Sequence, residues 1–126
     1  MAQRSFVIQS ATIHGVEALP VFVEVVISSG IPSFSIVGMA DATIMESRER
    51  VKAALRASGF VMPTDKIVVN LAPGALRKTG SGFDLPIALG ILAATGQINP
   101  EWVVGALVVG ELSLSGAVRA NVGMLA

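Results

Sequence analysis

The stretch "DLPIALGILAATG", residues 84–96, constrains the fold of this chain more than any other. It predicts a helix in which Asp84 is the N-cap, Pro86 lies in the first turn and Gly96 ends the helix. The helix is apolar on every side, so most of its surface must be buried against other elements. The rest of the chain therefore has to supply a sheet, or further helices, that covers it.

Segments rich in β-branched and aromatic residues, bounded by turn residues, predict the strands of that sheet. They span residues 5–13, 19–28, 33–39 and 66–73, and a terminal hairpin covers 106–120. In the second segment Phe22 and Glu24 alternate with three valines, which predicts an antiparallel sheet with one partly wet face. The fourth segment is apolar enough to be central. His14-Gly15 and Leu114-Ser115-Gly116 are the predicted bends.

Between the third and fourth strands the hydrophobic period becomes helical. Residues 41–59 predict a helix, with Thr43 and Glu46 in capping-box spacing and Gly59 as the stop. The element order is therefore βββαβαββ. This order predicts the α/β class, a two-layer α+β sandwich forming one domain over residues 1–126.

The composition excludes several classes of function. The net charge is zero, whereas a free-standing DNA-binding domain usually has a basic excess. The chain has no cysteine and one histidine, His14, so no thiolate nucleophile, disulfide or metal site is predicted. No signal peptide and no apolar run near the ~20 residues of a membrane span is present. We therefore expect a cytoplasmic chain without a membrane partner, and its terminal "VGMLA" favours a piece of a longer protein over a short complete one.

The loop "APGALRKTGSGFDLP", residues 72–86, resembles a phosphate-binding motif only superficially. A Walker A motif places its lysine directly after the second glycine, but here Arg77 and Lys78 precede Gly80. Backbone N–H groups at the following helix could bind an anion, but the Asp84 carboxylate already occupies that position. The sequence therefore predicts no cofactor in this loop.

A Ser–Lys nucleophile is the second chemical interpretation of the same loop. Ser81 and Lys78 are the only local pair, and their separation along a loop does not guarantee the contact that a dyad needs. We therefore favour two solvated loop residues. Glu111, in an otherwise apolar strand, is interpreted as a cap for a neighbouring loop or for Arg119.

Three cations form a ridge at helical spacing on the first predicted helix. They are Arg48, Lys52 and Arg56. Glutamates at positions 46 and 49 interleave with them, which favours a solvated helix flank.

Several blocks of the chain together resemble one known family. The blocks are "VEALPVFVEVVISSGIPSFSIVGMAD", "ESRERVKAAL", "VNLAPGALRKTGSGFDLPIAL" and "GELSLSGAVR". They are similar to the N-terminal domain of Mg-chelatase-like AAA+ proteins of the ComM (YifB) type. The resemblance implies a ribosomal protein S5 domain 2-like fold, shared with the proteolytic domain of Lon and the C-terminal domain of RadA.

The likeness to Lon bears on catalysis. It implies that Asp84 lies near the place of Lon's catalytic serine, and that Lon's lysine belongs to a segment matching residues 121–126. No lysine follows Lys78 in this chain. The resemblance therefore implies no catalytic residue and no metal, with Gly80, Gly82 and Asp84 as a structural loop and helix cap.

The family also implies partners. These are the protein's own AAA+ motor domain, which would hold ATP and Mg²⁺, further copies in a hexamer, and DNA remodelled in branch migration, recombination or natural transformation. Our main hypothesis is an accessory and assembly domain that contacts DNA through Arg77 and Lys78, with Arg48, Lys52 and Arg119 as weaker candidates. The alternatives are a Lon-like hydrolase using Ser81 and Lys78, and a domain that docks only on protein.

Overall fold

A computed structural model describes residues 4–119, in which four strands form one sheet. The strands are β1 (Arg4–His14), β2 (Glu17–Ser28), β3 (Ser33–Val37) and β4 (Lys66–Ala72). Their order is β1-β2-β4-β3, so the prediction that β4 is an internal strand is confirmed. The antiparallel pairing predicted from β2 is confirmed for both of its neighbours, whereas β3 pairs with β4 in parallel, so the sheet as a whole is mixed.

The helices pack on one face of this sheet. They are α1 (Ala42–Met45), α2 (Ser47–Ala57) and α3 (Asp84–Ala94). Helix α3 lies across β1 and β2, and α2 lies beside it. A short 3₁₀ turn (Pro100–Trp102) and a small antiparallel hairpin, β5 (Glu111–Leu112) and β6 (Val118–Arg119), complete the described chain. The two-layer α/β class is thus confirmed, while the ribosomal protein S5 domain 2-like detail and the single-domain extent over 1–126 stay predictions.

Strand alternation places the core as the sequence predicted. Val21, Val23 and Val25 are fully buried against the helices, whereas Phe22 on the opposite face is 43% exposed. None of the helices within residues 4–119 has the length and apolarity needed to cross a bilayer.

The first predicted helix is interrupted. Residue Glu46 ends α1 and begins α2, so one helix over 41–59 becomes two. The predicted capping box is wrong, because Asp41 is the N-cap and its carboxylate accepts the Ile44 N–H at 2.8 Å. The predicted stop is confirmed, since Gly59 follows the last cap residue with a φ of +85°.

Helix α3 is buried as predicted but begins differently. Its N-cap is Phe83, and Asp84 is the first helical residue, so the prediction that Asp84 caps the helix is wrong. The physical reason is that the Asp84 carboxylate is engaged by side chains of other elements. Gly96, with a φ of +72°, ends the helix where the sequence predicted.

A glycine lets α3 approach the sheet closely. A Cβ at Gly90 would lie 2.5 Å from Val25 Cγ2 and 3.6 Å from Ile8 Cγ1. Real carbon atoms do not approach so closely in packed cores, which are already as dense as organic crystals. The separation between the two layers is therefore set at this glycine.

We predict that Gly90→Ala destabilises the chain. Alanine raises helix propensity by about 1 kcal/mol, but overpacking against Val25 costs about 1–3 kcal/mol, and the local separation must also increase. Urea unfolding should show a net loss of free energy. The control is Gly74→Ala, where an added Cβ meets no atom within 4 Å. If Gly90→Ala is tolerated as well as the control, the close approach does not set the packing.

Candidate functional site

The loop that follows β4, residues 73–83, is tied to its surroundings along its length. Backbone bonds join Lys78 to Met39 and Asp41, at 3.1 and 3.2 Å. The Asp41 carboxylate accepts the Gly80 N–H at 3.2 Å, and Gly82 O accepts the Gly110 N–H at 2.9 Å. Gly80 has a φ of +92°, which favours glycine at this bend. The loop is thus a fixed connector between the β3–α1 turn and the approach to β5.

Directly after this loop, the Asp84 carboxylate is the buried centre of the helical layer. It accepts hydrogen bonds from Ser47 Oγ, from Arg50 Nε at 2.6 Å and from the Leu112 N–H at 3.0 Å. Asp84 is 0% exposed, and its partners lie on α2 and β5. One side chain therefore joins α2, α3 and the terminal hairpin.

The Arg50 guanidinium completes this cluster from the more exposed side. A second nitrogen of Arg50 reaches Asp84 Oδ1 at 3.1 Å and Thr43 O at 2.9 Å, while Glu46 lies 3.4 Å away. Hydrogen bonding to Asp84, opposed in part by desolvation, raises the pKa of Arg50 above its ordinary value. The charge of Glu111 acts in the same direction, so Arg50 stays cationic.

Lys78 is buried completely, without a carboxylate partner among residues 4–119. Its ammonium donates to Gly38 O at 2.6 Å and to Pro73 O. Desolvation by burial lowers the pKa of Lys78. Two predictions need correction. Lys78 is not a solvated loop residue, and its side chain cannot reach a phosphate because its surface is covered.

Ser81 has a different partner from the one a dyad requires. Its hydroxyl donates to Glu111 Oε1, while the Lys78 amine is engaged by two carbonyls. The interpretation of Glu111 as a cap for a neighbouring loop is confirmed, and Arg119 lies opposite Glu111 in the hairpin ladder. Ser81 and Lys78 are thus bonded to different partners, and the prediction of two solvated residues is wrong because Lys78 is buried.

The other predicted DNA-contacting cations lie on three different elements. Arg77 is exposed on the loop, and its carbonyl oxygen lies 3.1 Å from His14 Nε2. On α2, Arg48 donates to Phe34 O and Met45 O, and Lys52 pairs with Glu49 at 3.1 Å. Arg119 is exposed on β6. Arg77 is thus the loop cation that remains available to a ligand.

Sequence reasoning missed the two α2 residues of the Asp84 cluster. They are Arg50 and Ser47. A signal was present, because Ser47 lies four residues before Val51 on the buried stripe of α2. A polar residue on such a stripe indicates a buried hydrogen-bond partner. Within residues 4–119 no three histidine, aspartate or glutamate side chains gather as a metal site would require.

Comparison with known proteins places this geometry in a family context. Residues 23–126 match the family model described as subunit ChlI of Mg-chelatase. The chain is 46% identical over 105 residues to the Escherichia coli protein YifB, a match that covers 83% of the chain and 21% of YifB. It is 41% identical over 119 residues to competence protein ComM of Haemophilus influenzae, covering 94% of the chain and 23% of ComM. The chain thus spans about a fifth of the length of these curated relatives.

We predict that Asp84→Ala strongly destabilises the fold. It leaves the Arg50 guanidinium, the Ser47 hydroxyl and the Leu112 N–H without their common acceptor, and breaking a buried pair costs about 3–5 kcal/mol. Urea unfolding measures the loss. Glu46→Gln, which removes the 70% exposed partner of the same Arg50, should change stability by less than about 0.5 kcal/mol.

If Asp84→Ala does not fold, a second variant that keeps a hydrogen-bond acceptor at this position still tests the prediction. Asp84→Asn retains one oxygen for the Leu112 N–H, so its loss should fall between those of Asp84→Ala and Glu46→Gln. Equal stability of Asp84→Asn and Glu46→Gln would contradict the central role of this carboxylate.

We predict a pH-dependent contribution from Lys78. Because its pKa is lowered from an ordinary value of 10.5, the unfolded chain binds more protons than the folded chain between the two values. The free energy of unfolding of the wild type should therefore rise with pH up to 10.5, relative to Lys78→Met. The neutral amine keeps two N–H donors for its two carbonyls.

Urea unfolding of both proteins at several pH values checks this prediction. Lys66→Met, which removes an exposed lysine of β4, is the matched control for the loss of a lysine side chain. Parallel profiles for the wild type and Lys78→Met would show that the buried amine does not titrate differently on unfolding.

Proposed function

Because the chain belongs to the family of subunit ChlI of Mg-chelatase, we propose that it is a non-catalytic accessory and assembly domain of a Mg-chelatase-like AAA+ ATPase. The relatives that it matches are about five times as long as the matched segment, which leaves room for a motor domain. In this proposal ATP and Mg²⁺ bind in that motor, and this domain holds no cofactor. The full-length protein forms a hexamer.

One observation carries the non-catalytic part of the proposal. Three groups that a hydrolase site could use are each engaged by an internal partner: Ser81 by Glu111, Lys78 by two carbonyls, and Asp84 by Arg50, Ser47 and Leu112. A nucleophile requires a base within hydrogen-bond distance, and the amine that would serve is directed elsewhere. The arrangement supports a connector that keeps the layers together.

The process in which the whole protein acts is proposed from its relatives. The Haemophilus influenzae relative is named a competence protein. We extend that assignment to the full-length protein, which would remodel branched DNA during uptake and recombination. Because the domain is neutral overall, a substantial contribution to DNA binding would require several copies acting together in a ring.

Arg77 is the residue through which we propose that the domain contacts DNA. It is exposed on a loop whose backbone is fixed by contacts to His14 and Asp41, so its position is defined before binding. Arg48, Lys52 and Arg119 remain secondary candidates. Lys78 supports the site only indirectly, because its hydrogen bonds to Gly38 O and Pro73 O hold the loop in place.

We predict that Arg77→Ala in the full-length protein weakens DNA binding uniformly across sequences. Loss of one phosphate contact per protomer should reduce the steepness of log affinity against log salt by about 1 for each protomer that contacts the DNA. Binding is measured by fluorescence anisotropy at several salt concentrations. Lys66→Ala, an exposed cation at the opposite end of β4 from the loop, is the matched control and should leave affinity and slope unchanged.

Two results would contradict the proposal in different ways. Unchanged DNA affinity and an unchanged salt slope in Arg77→Ala would show that the loop does not contact DNA. Turnover of a fluorogenic peptide, or a phosphonate adduct on Ser81 that is absent in Ser81→Ala, would show that the domain is a hydrolase.

A further inference from the structure

The face of the sheet opposite the helices carries several exposed apolar side chains. We call it the outer face; its central residues are Val7, Phe22, Glu24, Val37, Val68 and Asn70, and the polar side chains of Gln9, Ser35 and Lys66 lie on the same face. Val7 and Val37 are each 49% exposed and Phe22 is 43% exposed. These side chains point away from the core, so α2 and α3 cannot shield them. In an antiparallel-rich sheet such a face is ordinarily polar.

An apolar groove continues the outer face at one end. It has a volume of about 500 Å³ and is lined by Leu19, Pro20, Phe22, Ala72, Pro73 and Leu76. Two of these residues, Pro73 and Leu76, belong to the fixed loop. Grooves of this size and character are typical of binding surfaces rather than of ordinary solvated sheet.

A single carboxylate lies in the middle of the outer face. Across the four strands the register places Val7, Glu24, Asn70 and Val37 side by side. Glu24 is half-buried, and within residues 4–119 it has no ion-pair partner. A surface that covers this face must therefore offer a cation or a hydrogen-bond donor at that point.

The same carboxylate disfavours a second copy of this face as the occupant. A two-fold axis through the centre of the face would bring two Glu24 carboxylates together, and like charges directly opposed are destabilising. A different surface with a basic group at that point has no such penalty.

The dimensions of the face suit an interface between domains. Four strands about 4.8 Å apart, followed for about seven residues at 3.3 Å each, present roughly 400 Å². Two such surfaces in contact bury roughly 800 Å², which lies within the range of about 600–1,500 Å² for domain interfaces within one chain. The relatives supply a source of the second surface, since about four-fifths of their length lies outside the matched segment.

We propose that the outer face and its groove are the docking surface for the part of the longer polypeptide that lies outside these 126 residues. The docked surface is apolar and presents a basic side chain to Glu24. The inference deepens the proposed function, because it needs the longer polypeptide, but it does not require that polypeptide to be an ATPase.

Photo-crosslinking in the full-length protein tests the docking. Benzoylphenylalanine replaces Phe22 in one sample and Trp102, which is 72% exposed on the 3₁₀ turn, in a control sample. We expect position 22 to cross-link to peptides from outside the 126-residue segment, with position 102 giving at least roughly fivefold less. Cross-links to this same segment of another copy, or to DNA, or an absence of cross-links above the control, would overturn the proposal.

Charge reversal tests the assigned chemistry. Glu24→Lys should lower the cross-link yield from position 22 at least roughly fivefold, because it opposes two cations, and Glu24→Gln should give an intermediate loss. Glu101→Lys, the same reversal at an exposed residue of the 3₁₀ turn, should leave the yield unchanged. An unchanged cross-link yield in both Glu24 variants would overturn the claim that the docked surface presents a basic side chain to Glu24.

ATP hydrolysis measured on the same preparations separates this inference from the proposed function. A protein that hydrolyses ATP but shows no docking cross-links would overturn the inference alone. A protein that shows the cross-links without hydrolysing ATP would contradict the proposed function and leave the docking surface standing.

Discussion

The arrangement of the helical layer depends on one buried carboxylate. Asp84 accepts hydrogen bonds from α2 and from β5 while its own backbone begins α3, so the three elements share one acceptor. Taking a carboxylate and a guanidinium out of water costs several kcal/mol for each ion, and the attraction between them offsets that cost only with good geometry. A buried pair of this kind therefore contributes more to specifying one arrangement than to net stability, because any slide of α2 along α3 would leave Asp84 without its partners.

Lys78 plays a comparable part in the loop, with a different balance of forces. Its ammonium is desolvated and bonded only to carbonyl oxygens, which is why burial lowers its pKa. In return for the cost of burying its ammonium, Lys78 fixes the backbone: one side chain from the middle of the loop holds both Gly38 O and Pro73 O in place. Lys78, Gly80 and the Ser81 hydroxyl, which make the loop look catalytic in the sequence, thus help to fix the path of the backbone.

The elements were predictable from the sequence because their signals are local. Alternation in β2 gave the buried valines, and Gly59 and Gly96 marked the helix ends. The site was not predictable, because its partners are far apart in the chain: Asp84 is 34 residues from Arg50, and Lys78 is 40 residues from Gly38. A carboxylate at the start of an apolar helix looks like a cap when only its neighbours are considered. Its tertiary partners show that it joins α2 and β5 instead. Distant partners likewise show that Ser81 and Lys78 are bonded to other groups and not to each other.

The two faces of the sheet are linked through the loop. Lys78 donates to Pro73 O, and Pro73 and Leu76 form part of the wall of the groove on the outer face. A wall that is held in one conformation before binding loses less conformational entropy when a partner covers it. The hydrogen bond from Lys78 to Pro73 O therefore has two effects. It anchors the loop, and it shapes the surface that we propose for docking. This connection explains why a chain with few charges would keep a lysine in its interior, where a leucine could fill the same space but could not hold two carbonyls together.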